Sequence, residues 1–178
     1  MQVVGDGLVR DLRTRLDSAY FGTAVANGPD GIQSLAGVTT LTGGTITNLD
    51  AFAEALSKAE VVGQQITSWV AHPNTALTLA KLKDETASAR PLLGPDATSP
   101  TKKTVLGSPL FSAPGCSPKY VWGILRGTSY VVIRLPASVE VDKSARFTSD
   151  QTCVRCILRV GFGWPHPASV VRIGLGGS

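Results

Sequence analysis

Histidine, cysteine and methionine are scarce in this chain of 178 residues, with two, three and one copies, and aromatic residues make up only 6% of it. The shortage of histidine removes the commonest general base and metal ligand at neutral pH. His72 and His166 each precede a proline, which restricts the backbone to extended conformations, and neither stands in a recognised arrangement with a serine, cysteine or carboxylate. A capping or packing role is the expectation for both. Cys116, Cys153 and Cys156 are odd in number. The last two lie three apart on an expected strand, so their side chains point to opposite faces and cannot bridge one another. Cys153-x-x-Cys156 lacks the further ligands that zinc needs, which leaves small buried thiols as the expectation. Gly161-Phe162-Gly163 and Gly174-Leu175-Gly176-Gly177 precede no helical pattern, so neither implies a phosphate cradle. Asp84 and Glu85 are adjacent on an expected helix end, where their side chains diverge. No catalytic, cofactor-binding or metal-ligating residue is expected, and no enzymatic activity.

Long apolar runs are also missing. No stretch is long enough to span a bilayer, and Met1 to Asp6 has no signal-peptide pattern, so a soluble intracellular product without a membrane partner is expected. Charge of one sign is hardly in excess. There are 17 Lys and Arg against 13 Asp and Glu, a net +4, and the bases are scattered, which fits a solvated surface better than specific nucleic-acid recognition. The chain is the size of one domain or two small ones, and 43% apolar residues suffice for a real core and exclude wholesale disorder.

What the chain does have is a sheet-rich C-terminal third. Tyr120 to Leu125 and Tyr130 to Leu135 are β-branched and aromatic runs separated by Arg126-Gly127-Thr128-Ser129, a pattern that predicts two antiparallel strands joined by a turn. Ser138 to Asp142 alternates polar and apolar residues as a third strand. Gln151 to Val160 predicts a fourth, with Thr152, Val154, Cys156, Leu158 and Val160 on one face and Cys153, Arg155, Ile157 and Arg159 on the other. Guanidinium groups at strand spacing suit a protein contact, because the planar fork pairs with a neighbour's carboxylates. For Arg126, Arg134, Arg155, Arg159 and Arg172 an interface or surface role is therefore expected ahead of a phosphate-binding strip.

The first two thirds alternate helix and loop. Leu8, Leu12, Leu16 and Tyr20 recur every four residues, Asp6 suits an N-cap, Asp11–Arg15 and Arg13–Asp17 are spaced for surface ion pairs, and Gly22 closes a first helix. Gly28 to Gly31 is turn chemistry, and Gly37 to Thr47 reads as a flexible connector. Leu49, Phe52, Ala53 and Leu56, with a Thr47-x-x-Asp50 capping box, predict a second helix over 48–62. Ile66 to Ala71 reads as a buried strand. Pro73 opens a third helix expected to reach about Glu85, and residues 86–103 form a long polar loop.

In order along the chain, several segments carry a resemblance. Leu12 to Ala19 with Gly22, Gly28-Pro29 and Gly31-Ile32 comes first, followed by Trp69 to Thr75, Leu79 to Asp84 and Leu106 to Leu110. Phe147 to Gln151, Arg155, Leu158 to Phe162 and Pro165-His166-Pro167-Ala168 complete the series. Together they resemble the tailed-phage major capsid proteins with the Hong Kong 97-like fold. The resemblance implies an α+β subunit in which a spine helix and peripheral sheet accompany an axial mixed α/β domain. Residues 1–31 and 135–163 would form the peripheral part, and 32–134 with a return at 164–178 the axial part. It further implies pentamers and hexamers around packaged double-stranded DNA, contacts with full-length capsid subunits, scaffold and portal, assembly in the host bacterial cytoplasm and residence in the virion capsid.

A family subunit normally has an N-terminal arm, an extended hairpin loop and the first half of the spine helix ahead of the point where this chain begins. Since those parts lace neighbours together, the chain is expected as a folded monomer or a loose ring of five or six rather than a closed shell. Covalently cross-linking members carry an asparagine and a glutamate where this chain has Asp150 and Ile157, so self-cross-linking is expected to be absent. Two other readings stand beside the capsid one: an encapsulin-like nanocompartment shell of the same fold around a protein cargo, and a small-molecule-binding or enzymatic α+β domain, which would need a deep pocket with convergent polar groups.

Overall fold

The computed structural model of the protein describes residues 2–23, 28–85, 88, 90–93, 103–142, 144, 146–149 and 151–176. Its elements follow the order α1 (Gln2–Phe21), β1 (Thr39–Gly44), α2 (Asp50–Val61), β2 (Ser68–Ala71), α3 (Pro73–Lys81), β3 (Thr104–Val105), β4 (Ser108–Ser112), β5 (Tyr120–Ile124), β6 (Tyr130–Asp142), β7 (Cys153–Gly163) and β8 (Val171–Leu175). Six strands form one sheet in the order β1-β8-β5-β2-β4-β3, and β6 with β7 forms a separate two-stranded ribbon. The class is α+β, as expected.

The six-stranded sheet is covered on both faces. Over one face lie α2 and α3, and Phe52, Ala55, Ala59, Ala76 and Leu79 pack against Leu41, Trp69, Leu110, Val121, Val171 and Ile173. Trp69 is fully buried, meets the Phe52 ring edge-on with centroids 5.1 Å apart, and donates its indole N–H to the Val105 carbonyl at 3.2 Å. A buried indole with its donor satisfied adds apolar area without a polar penalty. On the other face, Val70, Trp122 and Val170 pack with Ile32, Cys116 and Phe21, the last residue of α1.

The half-buried stripe of Leu8, Leu12, Leu16 and Tyr20 confirms the period read for α1. The helix begins at Gln2, however, so Asp6 lies inside it and caps nothing. Neither Asp11–Arg15 nor Arg13–Asp17 is among the ion pairs of the described residues. The C-terminal end of α1 lies backbone against backbone on the sheet's loops. A Cβ on Gly115 would fall 2.8 Å from the Ser18 nitrogen and 2.9 Å from the Asp17 carbonyl carbon, so only glycine leaves room for this approach.

Several local expectations give way. The stretch from Gly37 to Thr47 is no mere connector: Thr39 to Gly44 forms an edge strand parallel to β8, buried at Leu41. At α2 no side chain caps from Thr47. The N-cap is Leu49, and Asn48 Oδ1 accepts from the Asp50 amide at 3.3 Å instead. Helix α3 stops at Lys81 rather than near Glu85, because Leu82 turns to an extended ψ of 135° and its amide bonds back to Leu79. The loop expected over 86–103 falls mostly outside the described residues.

The largest revision concerns the C-terminal third. Tyr120–Leu125 and Tyr130–Leu135 are not partners. β5 is antiparallel to both β8 and β2, with Val121, Trp122, Gly123 and Ile124 all buried, whereas β6 pairs with β7 in the other sheet. A run buried on both faces suits a central strand of a sheet with layers packed above and below it, which a hairpin alone does not supply. The turn between the runs still forms: Gly127 has φ 96° and the Thr128 hydroxyl donates to the Leu125 carbonyl at 3.1 Å. It sends the chain out of one sheet and into the ribbon. The run at Ser138 is no separate strand but the second half of β6.

Candidate self-association surface

The ribbon starts from alternation and β-branching. Val131, Val132, Ile133, Val139, Val141, Val154 and Val160 are good strand formers, and together they sustain a ladder from Tyr130↔Gly163 to Asp142↔Cys153. Two register shifts interrupt it. Ile133 faces Val160 and Leu135 faces Arg159, so Arg134 is an extra residue. A second extra residue falls between Leu135 and Ser138, where Pro136 has no amide to give the ladder. Bulges of this kind bend a ribbon and increase its twist.

Every one of the 13 residues of β6 is exposed. Val132 and Ile133 are 59% and 62% accessible, and Tyr130, Val131, Leu135, Val139, Val141 and Val154 also stand open. Singly exposed aliphatics are ordinary on a protein surface; a set repeated along the whole of β6, with Val154 beside it on β7, is not. A lone two-stranded ribbon is marginal in water and offers two unpaired edges. Within the chain it is held mainly at its base, where Tyr20 of α1 meets Phe162 at 5.1 Å and Trp164 at 5.7 Å. Helix α1 thus meets β7 at that strand's C-terminal end, at Phe162.

The arginines separate into distinct environments. Arg155 forms an ion pair with Glu140, its register partner across the ribbon, and the hydrogen bond and charge of Glu140 hold the guanidinium further toward its protonated form. The carboxylate expected from a neighbour is in this chain. Arg172 lies over the rings of Tyr120 and Trp122, at 5.2 and 5.9 Å from their centroids, and donates to the Thr40 hydroxyl at 3.1 Å. Arg126, Arg134 and Arg159 are exposed. The structure does not gather the five into one strip.

The residues weighed for chemistry are dispersed as well. His72 is the N-cap of α3, its Nδ1 accepting from the Asn74 amide at 3.2 Å, and His166 is exposed beside the 3₁₀ turn Pro167–Ser169. Cys153 and Cys156 are half-buried on β7, not in the core; only Cys116 is buried. Burial pushes the Cys116 thiol up to about 11, with the Trp122 indole N–H nearby but too poorly aligned to hydrogen-bond it. That N–H is buried and reaches no acceptor with hydrogen-bond geometry. Among the described residues no three His, Cys, Asp or Glu side chains converge as metal ligands would. A cleft of about 540 Å³ is lined by Thr67, Ser68, Phe111, Leu125 and Arg126, and another of about 460 Å³ by Asn74, Thr75, Thr78 and Leu175. Neither lining contains a His, Cys, Asp or Glu. No described helix is long and apolar enough to cross a membrane.

What the geometry provides is surface for contact, and comparison with known proteins agrees. The profile of the Phage capsid family matches residues 1–174, and the chain belongs to that family. Its relatives of known structure carry the same α+β fold, of the Hong Kong 97-like kind. The capsid of the native GTA particle matches with a TM-score of 0.69 at 14% identity over 99% of this chain and 66% of that one. A chain of Gordonia phage Cozz matches with 0.69 at 14% over 99% and 64%, and one of Mycobacterium phage Che8 with 0.64 at 16% over 97% and 61%. The chain therefore spans about two thirds or less of these relatives' length. No curated protein matches in sequence.

Proposed function

We propose that the chain is the shell-forming part of a phage or prophage capsid subunit, and that it works by binding copies of itself rather than by catalysis. The observation that carries this reading is the β6 strand of the ribbon, whose apolar side chains are exposed along its whole length and gain free energy when another surface covers them. Family membership supports a protein neighbour of the same kind. It also favours the phage reading over a nanocompartment with protein cargo. Pentamers and hexamers enclosing double-stranded DNA, meetings with scaffold, portal and full-length subunits, and a path from the host bacterial cytoplasm to the virion complete the reading.

The subunit divides in two. Residues 1–31 with the ribbon form the peripheral part, and the six-stranded sheet with α2 and α3 forms the axial part, to which 164–178 return. The expected boundary after Arg134 lies within β6, and we draw it instead at the turn 126–129 so that the whole strand stays in one part. No residue is assigned to catalysis or to a cofactor. The test is sedimentation velocity of the purified chain at rising concentration beside Val132→Asp/Ile133→Asp. The native chain associates reversibly and the variant remains monomeric with an unchanged circular dichroism spectrum. Equal association of both would refute the ribbon's role.

A further inference from the structure

Register divides the ribbon into two faces of opposite character. Both extra residues belong to β6, so β7 alternates regularly, and Val154, Cys156, Leu158, Val160 and Phe162 share one face. Their partners on β6 are Val141, Val139, Ile133 and Val131, and Pro136 and Ala137 fall at the second bulge, opposite Leu158. No residue of this face carries a charge or a hydroxyl. The charges of both strands stand on the other face. Glu140 pairs there with Arg155, Asp142 with Cys153, and Arg134, at the first bulge, lies beside Leu135 opposite Arg159. Lys143 and Arg146 come after the last ladder pair. On the apolar face Val131, Ile133, Val139 and Val141 are between 48% and 62% exposed. Only its base is covered within the chain, where Tyr20 and Trp164 meet Phe162.

A sheet with one face wholly apolar and the other charged is half of a sandwich, and the missing half has to be equally free of charge. Resting on the self-association proposed above, we propose that the apolar face is covered by the same face of a second copy, the two ribbons forming a four-stranded sandwich about a two-fold axis that lies between them. The charged faces then turn outward on both sides, so Arg155 and Arg159 of the two copies do not meet. The axis passes near the level of Leu158, at the middle of β7, because that register gives the greatest overlap. A ladder of this length is ~35 Å long and ~10 Å wide, and full overlap removes on the order of 1,000 Å² from water, which suits a reversible contact. The charged face keeps an apolar base of Tyr130, Val132 and Leu135, which stays free for further copies in a larger assembly.

Two adjacent residues of β6 test this as a matched pair. Val139 lies on the apolar face and Ser138 on the charged one, and both are exposed, so unchanged melting curves verify folding of either variant. In sedimentation equilibrium Val139→Lys weakens self-association about tenfold or more, because the two-fold buries the new ammonium group twice. Ser138→Lys adds the same charge and leaves association nearly unchanged. The native thiols report independently: on association Cys156, on the apolar face, loses reactivity toward iodoacetamide while Cys153 keeps it. Trypsin cuts between them after Arg155, so mass spectrometry reads each alone. Leu158→Cys in a Cys153→Ser/Cys156→Ser background couples to its counterpart through a short bismaleimide. Equal weakening by both lysine variants, or protection of Cys153 instead of Cys156, overturns the choice of face while self-association through the ribbon stands. Association without coupling at position 158 means that another surface of the second copy covers the face, and the pairing is wrong. A native chain that is monomeric at every concentration overturns both readings, and if that monomer floats with phosphatidylcholine vesicles the face belongs to a lipid surface.

Discussion

Glu140 and Arg155 face one another across the β6–β7 ladder as register partners and are joined as an ion pair within the chain. Their side chains are 54% and 70% exposed, so water competes for both and the pair holds geometry more than it adds stability. Arg155→Ala is therefore expected to move the melting temperature by no more than about 2 °C. Differential scanning calorimetry checks this, and a drop several times larger would mean that the pair organises the whole ribbon.

The core under α2 responds differently. Phe52 is 1% exposed and lies edge-on against the fully buried Trp69. Phe52→Ala leaves a cavity beside an indole that cannot follow, because its N–H is tied to Val105. The expected loss is about 3–5 kcal/mol in urea unfolding followed by tryptophan fluorescence. A loss under about 1 kcal/mol would show that the sheet can close over the gap.

Both residues lie in runs that read plainly as helix and strand, and the reasons are local. Leu49, Phe52 and Leu56 share a helical face, and Trp69 sits in a short apolar run before Pro73, so periodicity and turn chemistry suffice. Strand partners were less legible. Trp122 and Val132 lie in nearly identical β-branched runs joined by a good turn, yet one is wholly buried and the other 59% exposed. Pairing is decided by which distant strands offer an open edge, here β2 and β8, and no spacing within residues 120–135 records that. The edge strand at Thr39–Gly44 was hidden for the same reason, since its glycines and threonines hold an extended form through β8. Of the candidate surface, the arginine positions on β7 were visible as alternation; the bulge at Arg134 and the partnership of Glu140 with Arg155 depend on cross-strand register.

Cys116 gives a pH signature. Its thiol is raised from an ordinary 9.0 to about 11 by burial, so the folded state resists the thiolate that the unfolded chain forms more readily. The contribution is fully present below pH 9 and is lost as pH rises through about 11, a change on the order of 2–3 kcal/mol. Cys116→Ala should remove that part of the alkaline loss. In unfolding measured from pH 8 to 11, parallel curves for native and variant chains would exclude this origin.

The seat of α1 is sensitive to a single methyl group. A Cβ at position 115 meets backbone atoms of Asp17 and Ser18, which cannot rotate away. Gly115→Ala should displace the end of α1 at a cost of about 1–3 kcal/mol and alter the near-ultraviolet circular dichroism of the Tyr20, Phe162 and Trp164 cluster. An unchanged spectrum and stability would mean that the loop yields instead.

The most direct test of the central claim is an electron cryomicroscopy reconstruction of the assemblies that the chain forms. The ribbon's role predicts that Tyr130 to Leu135 lies against another copy, with Val132 and Ile133 covered. A reconstruction in which copies meet through other surfaces while β6 and β7 remain in open solvent on both faces would contradict it.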